Sequence, residues 1–256
     1  MYDTIGYLDT MLSTASCRIM YGEYCVPQLS HQANGKFAVT EMYHPLIPEG
    51  VRNSITAERS VLLTGSNASG KSTFIKTVAL NAILAQTLHT VLAENYQASW
   101  FCIASSMALR DDILSQESYY IVEIRSLKRI LDLTRSSELP VLCFIDEVLR
   151  GTNTVERIAA SSRILQAIAE QGGLCFAATH DIELTYLLEK EYDNYHFEEQ
   201  VEDDKVTFDY CLREGRACTR NAIRLLKMLG YDEKIVDDAN ERVALFLKSG
   251  NWVSSH

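Results

Sequence analysis

Val61-Leu62-Leu63-Thr64-Gly65-Ser66-Asn67-Ala68-Ser69-Gly70-Lys71-Ser72-Thr73 decides the fold. Its first four residues read as a buried strand. Gly65 to Ser72 then satisfy G-x-x-x-x-G-K-[ST] in full, and a long helix is expected from about Lys71 to Leu92. Strand, glycine turn and helix are the context in which this pattern cradles phosphate. Glycines let the backbone curl until its N–H groups face inward, and the helix N-terminus adds partial positive charge. Lys71 is placed to reach β- and γ-phosphates, and the Ser72 hydroxyl to ligate Mg²⁺. Residues Gly65, Ser66, Asn67, Ala68, Ser69, Gly70, Lys71, Ser72 and Thr73 are therefore the expected nucleotide-binding set. The competing reading, a chance glycine turn before a core helix, is disfavoured by the flanking elements.

Further along, Pro140 precedes the continuous apolar run Val141-Leu142-Cys143-Phe144-Ile145, the pattern of a central parallel strand. Asp146-Glu147 stand at its carboxyl end, where open α/β sheets bind ligands. Asp146 is the expected Mg²⁺ ligand beside Ser72. Glu147 is placed to polarise an attacking water. Two solvated carboxylates capping a strand are the bland alternative. The Asp-Glu pair favours hydrolysis by an ABC-class or related ATPase over a bare nucleotide-binding protein. Leu174 to Thr179 form a further strand, and His180 just past it can sense a γ-phosphate by donating a hydrogen bond. A lone His means little; its weight comes from the order loop, Asp-Glu strand, His strand. Lys71, Glu147 and His180 are thus the candidate catalytic residues.

Around these motifs, Thr4 to Tyr21 carry helical spacing, Phe37 to Thr40 read as a short strand and Phe101 to Ala104 as another. Helices are expected over Glu117 to Thr134 and Thr154 to Ala169. Two strand-like pieces flank a turn at Glu202-Asp203-Asp204, and two helices surround Gly230-Tyr231-Asp232. Strands alternating with helices imply an α/β fold, a mostly parallel sheet covered on both faces, with a helix-turn-helix at the end.

The 256 residues hold 24 Lys+Arg against 34 Asp+Glu, a net charge of −10. Phosphate attraction needs clustered Lys/Arg, so this chain alone is not expected to bind nucleic acid strongly. Arg125, Lys128, Arg129 and Arg135 form the main basic cluster, best read as a solvated helix face. The final helix carries Asp232, Glu233, Asp237 and Asp238, which would repel DNA. Seven Cys without a C-x-x-C pair fit reduced thiols in the cytoplasm. The apolar window Phe74 to Ala93 is interrupted by Lys76, Asn81, Gln86 and His89, so it reads as a core helix with no membrane contact.

The segments TGSNASGKST, FIDEVLRGTNT and ATHDIELT resemble the nucleotide-binding core of the MutS family of DNA mismatch-repair proteins. Asp111 to Glu123 is similar to the family's segment around an ABC-like signature serine, here Ser118. Tyr43-His44-Pro45 resembles its lead-in, and Glu214 through Ala239 its closing helix-turn-helix. The resemblance implies a P-loop ATPase core at 37–218, preceded at 1–36 by the end of a lever helix and a connector, and followed at 219–256 by the helix-turn-helix. It implies ATP and Mg²⁺ as cofactors and a homodimer through the ATPase face. Ser118 would then reach the partner's γ-phosphate, Asn67 the γ-phosphate or the water, and Arg150 to Thr154 would run along the interface. DNA would be contacted by domains outside this chain.

The family usually has Gly-Gly where this chain has Ala68-Ser69, Gly-Arg where it has Gln116-Glu117, and Gly where it has Leu149. Its adenine-stacking aromatic has no evident counterpart around Gly50 to Asn53. Tyr210 is open to two readings, stacking on adenine from the partner or facing the core from a strand. The departures leave a second function open: a nucleotide-gated interaction module with little turnover.

Overall fold

A computed structural model describes residues 2–250 apart from 32–34, 48, 67, 108–118, 150–151, 203–204, 218–222, 224–225 and 228. It forms two compact units, one comprising Met1–Phe197 with Tyr210–Ala217, the other Glu198–Asp209 with Cys218–His256. The larger unit begins with α1 (Tyr2–Tyr21), β1 (Gln28–Ser30), β2 (Phe37–Met42), β3 (Asn53–Ala57), β4 (Ser60–Thr64), α2 (Lys71–Leu88), β5 (Asn95–Ser99) and β6 (Cys102–Ser106). It continues through α3 (Tyr119–Ser136), β7 (Val141–Asp146), α4 (Thr154–Glu170), β8 (Leu174–Ala178), α5 (Glu183–Leu187) and β9 (Tyr192–His196). The smaller unit contributes β10 (Glu199–Glu202) and β11 (Lys205–Phe208), β12 (Arg213–Glu214) returns to the larger one, and α6 (Glu233–Ser249) ends the described chain.

The principal sheet has the order β12-β9-β4-β8-β7-β6. Its strands run parallel except β12, which is antiparallel to β9. The three central strands β4, β8 and β7 are buried along almost their whole length. Both of their faces are covered, which is why they read as unbroken apolar runs. Alternation sorts their side chains between two cores. Leu63, Phe144 and Phe176 join Phe74, Ile75 and Val78 of α2. Leu62, Cys143 and Cys175 join Leu127 and Ile130 of α3 and Leu165 and Ile168 of α4.

A second sheet, β1-β5-β2-β3, is mainly antiparallel and was not expected. Its strands Asn53–Ala57 and Asn95–Ser99 are half-buried, alternate polar with apolar residues, and carry no long apolar run. They share the α2-side core, where the Phe37 ring meets Tyr96 and Phe176 edge-on at 5.4 and 5.5 Å.

α2 stops at Leu88, short of the expected Leu92, because His89 turns left-handed at φ 46 and its N–H bonds to Leu84 O. The next residues leave the helix to form a bridge, Cys25 with Val91. Fully buried Asn81 fastens this exit: its Nδ2 donates to Tyr43 O and Thr77 O, and its Oδ1 accepts the Leu92 N–H. Among the described residues no helix is long and apolar enough to cross a membrane. α6 is capped by Asp232, which accepts the Lys234 N–H; most of the helix expected ahead of Gly230 lies outside the described residues.

Candidate functional site

The turn between β4 and α2 needs its glycines. Gly65 has φ 144, and a Cβ there would sit 2.8 Å from Phe197 O. Gly70 has φ 105, and a Cβ there would meet the Tyr210 ring at 3.1 Å. Gly70 also starts the helix without a side-chain cap, so the first amides of α2 keep their capacity for an anion. Lys71, only 5% exposed, turns its ammonium back onto the loop and donates to Gly65 O at 2.8 Å and Ser66 O at 2.6 Å. The buried Ser69 Oγ has no hydrogen-bond partner among the described residues.

β7 and β8 carry the acidic pair and the histidine to the same end of the sheet. Asp146 lies opposite Ala178, and the Glu147 N–H donates to Ala178 O at 3.0 Å. Asp146 Oδ1 is buried and, among the described residues, lacks a partner. Glu147 adopts φ 60 and Leu149 φ 58, two left-handed residues in a tight turn. Buried Glu123 of α3 holds that turn by accepting the Leu149 N–H. His180 Nε2 lies 3.2 Å from Glu147 Oε1. Thr179, just before it, is tied to the phosphate-loop strand through its N–H to Leu63 O at 2.9 Å.

One cavity of about 560 Å³ takes in the end of the phosphate loop, Glu147 and His180, while Asp146 lies outside its lining. Ala68 to Thr73, Glu147 and His180 line it together with Met42, His44, Val51, Asn53 and Tyr210. Tyr210 lies outside any strand, is 45% exposed and has φ 54. Of the two readings left open for Tyr210, a core-facing strand position does not hold; the ring stands over Gly70 of its own chain. Asn53 pins that segment, Nδ2 donating to Tyr210 O at 3.0 Å and Oδ1 accepting the Leu212 N–H at 2.7 Å. Burial, and secondarily the nearby Lys76 charge, hold the His44 imidazole below its ordinary pKa of 6.5. Its Nδ1 accepts the Leu46 N–H at 3.1 Å.

A buried ammonium, uncapped amides, an orphaned hydroxyl and an orphaned carboxylate oxygen fit a polyphosphate with a divalent cation. The sequence comparison decides the family. Residues 61–246 match the family described as MutS domain V. The chain belongs to that family. The match covers the phosphate loop, Asp146-Glu147 and His180. The MutS domain V chain is 31% identical over 245 residues to the DNA mismatch repair protein MutS of Natronomonas pharaonis. It is 32% identical over 249 residues to that of Pseudothermotoga lettingae, and 30% identical over 250 residues to the DNA mismatch repair protein MSH3 of Phaeosphaeria nodorum. These alignments cover 93%, 93% and 92% of this chain but 28%, 30% and 22% of the relatives, so it spans under a third of their length.

Asn67, Ser118, Arg150 and Gly151 lie outside the described residues. Asn153, expected along an interface, caps α4 by accepting the Val155 N–H at 2.9 Å. Ala68 at φ 64 and Leu149 at φ 58 both hold left-handed backbone, the conformation glycine adopts without strain. Val51 and Asn53 were passed over as site residues. They lie in and beside a polar edge strand, and only the fold of the second sheet brings them to the cavity.

Proposed function

We propose that this MutS-family domain binds ATP with Mg²⁺ and hydrolyses it to ADP and phosphate. The observation that carries the reading is the single cavity shared by Lys71, Ser72, Glu147 and His180. The Lys71 ammonium would exchange its two loop carbonyls for β- and γ-phosphate oxygens, and the loop amides would take the remaining charge. Ser72 and Asp146 would hold Mg²⁺, which when bound neutralises charge developing on the phosphates. Glu147 would accept the proton of the attacking water, and His180 would orient that carboxylate and donate to the γ-phosphate. Tyr210 and Val51, which also line the cavity, would flank the base.

In the intact protein the domain would pair with a second copy through its ATPase face, Ser118 completing the partner's site. The P-loop core at 37–218 would follow the lever-helix end at 1–36 and precede the helix-turn-helix at 219–256. ATP-driven closure would move DNA-binding arms outside this chain, in cytoplasmic mismatch repair or a related DNA transaction. The left-handed Leu149 beside Glu147 supports the second reading, a nucleotide-gated interaction module with little turnover.

Titration with Mg-ATP tests the binding half. The wild-type chain should bind, and Lys71→Ala should lose at least about tenfold in affinity, the scale of one buried charge-assisted contact. Equal binding by the two proteins would remove Lys71 from its role.

A further inference from the structure

Arg157 and Asp181 are joined by two side-by-side hydrogen bonds, Nε to Oδ2 at 2.8 Å and Nη2 to Oδ1 at 2.5 Å. The side chains are 24% and 12% exposed, so the pair is largely withdrawn from water. Neither residue lines the cavity, and no step of the proposed hydrolysis uses them. A single-point surface ion pair would hold little. A guanidinium fork on a carboxylate fixes orientation as well as distance.

Their places in the chain give that rigidity a target. Asp181 directly follows His180. Arg157 lies in the first turn of α4, the helix entered after the Glu147 turn. The path therefore closes on itself: from Glu147 along the chain to Arg157, across to Asp181, back one residue to His180, and from His180 Nε2 to Glu147 Oε1 at 3.2 Å. On the other side of His180, Thr179 is tied to Leu63 O, and its Oγ1 accepts the Asp181 N–H at 3.0 Å. Both neighbours of His180 are thus fixed, one to the phosphate-loop strand and the other to α4.

We infer that Arg157 and Asp181 form a positioning pair that aims the His180 imidazole at Glu147 and couples that aim to α4. The inference rests on the hydrolytic roles proposed above for Glu147 and His180. Neither Arg157 nor Asp181 hydrogen-bonds residues 65–73 among the described residues, so the loss of the pair falls mainly on turnover and changes nucleotide binding little. Small misplacements of a catalytic group lower the rate steeply.

The test uses the 256-residue chain. Arg157→Ala, Arg157→Lys and Asp181→Ala should each lower kcat for ATP about tenfold with KM unchanged, and Arg157→Ala/Asp181→Ala should fall no further than either alanine variant alone. The Lys variant keeps the charge and loses the fork, and serves as well if the Ala variant does not fold. In a His180→Ala background Arg157→Lys should cost nothing more. A rise in KM instead of a fall in kcat, or an equal further loss without His180, overturns the inference.

A second arm needs no turnover. In the nucleotide-free chain with isotope-labelled histidine, the His180 ring resonance is assigned by its loss in His180→Ala. Glu147→Gln should displace it in the wild-type background and not in the Arg157→Lys background. Equal displacement in both overturns the inference. If the wild-type chain releases no phosphate, the hydrolytic reading fails while this arm still decides the positioning.

Discussion

His180 Nε2 reaches Glu147 Oε1 across 33 residues of sequence, at 3.2 Å. Parallel pairing of β7 with β8 makes the contact possible, because it ends both strands at one level, with Asp146 opposite Ala178. The residues that follow then emerge side by side at the sheet's carboxyl edge, next to the turn that leaves β4. The imidazole and the carboxylate orient one another, and the φ 60 backbone of Glu147 directs its side chain into the cavity. Strained backbone of this kind persists where the surroundings hold it, and here Glu123 and Ala178 supply the hold.

The exit of α2 should be sensitive to one side chain. Asn81→Ala leaves the Leu92 N–H and the Tyr43 carbonyl without their present partner in a dry environment. Each such group costs about 1–3 kcal/mol. Urea unfolding should show a loss of about 3 kcal/mol; a loss near zero would mean that water or a shifted backbone replaces the bonds.

Two neighbouring substitutions in the phosphate loop should act in opposite directions. Ala68→Gly relieves a left-handed φ of 64 at an exposed position and should stabilise by about 0.5–1 kcal/mol. Gly70→Ala forces φ 105 on an L-residue and presses its Cβ against Tyr210, so it should destabilise by about 1–3 kcal/mol. Thermal unfolding reads both signs, and the same sign for the two would contradict the loop geometry.

Acidification should weaken the fold through His44. Burial first, then Lys76, holds its folded pKa below 6.5, so between those two values the unfolded chain binds more protons. The contribution is fully present above pH 6.5 and is lost as pH falls toward the folded value. Protonation also removes the Nδ1 acceptor of the Leu46 N–H. Urea unfolding from pH 7.5 to pH 5 should show a shallower decline for His44→Gln than for wild type, and identical slopes would exclude His44 as the source.

The chemistry of this site was more legible in the sequence than its walls. Gly65 to Ser72 advertise themselves because close backbone approach admits few residue types. Val141 to Glu147 and Leu174 to His180 stand out because a doubly covered strand must be apolar until it reaches the ligand. Asn53–Ala57 and Asn95–Ser99 are half-buried, and alternation over five residues hardly differs from a loop, so the second sheet stayed hidden. With it went Val51, Asn53 and the true place of Tyr210. The Arg157–Asp181 pair was equally invisible, because nothing in the spacing of 24 residues says that two helix and loop positions will meet.

ATP binding and phosphate release by wild type and Glu147→Gln, measured side by side, test the hydrolytic account most directly. Wild type should release phosphate. Glu147→Gln should keep ATP affinity within about threefold while turnover falls by about 10²-fold or more, the scale of a lost general base, with ATP-bound dimer accumulating. Wild-type turnover in Glu147→Gln would contradict it.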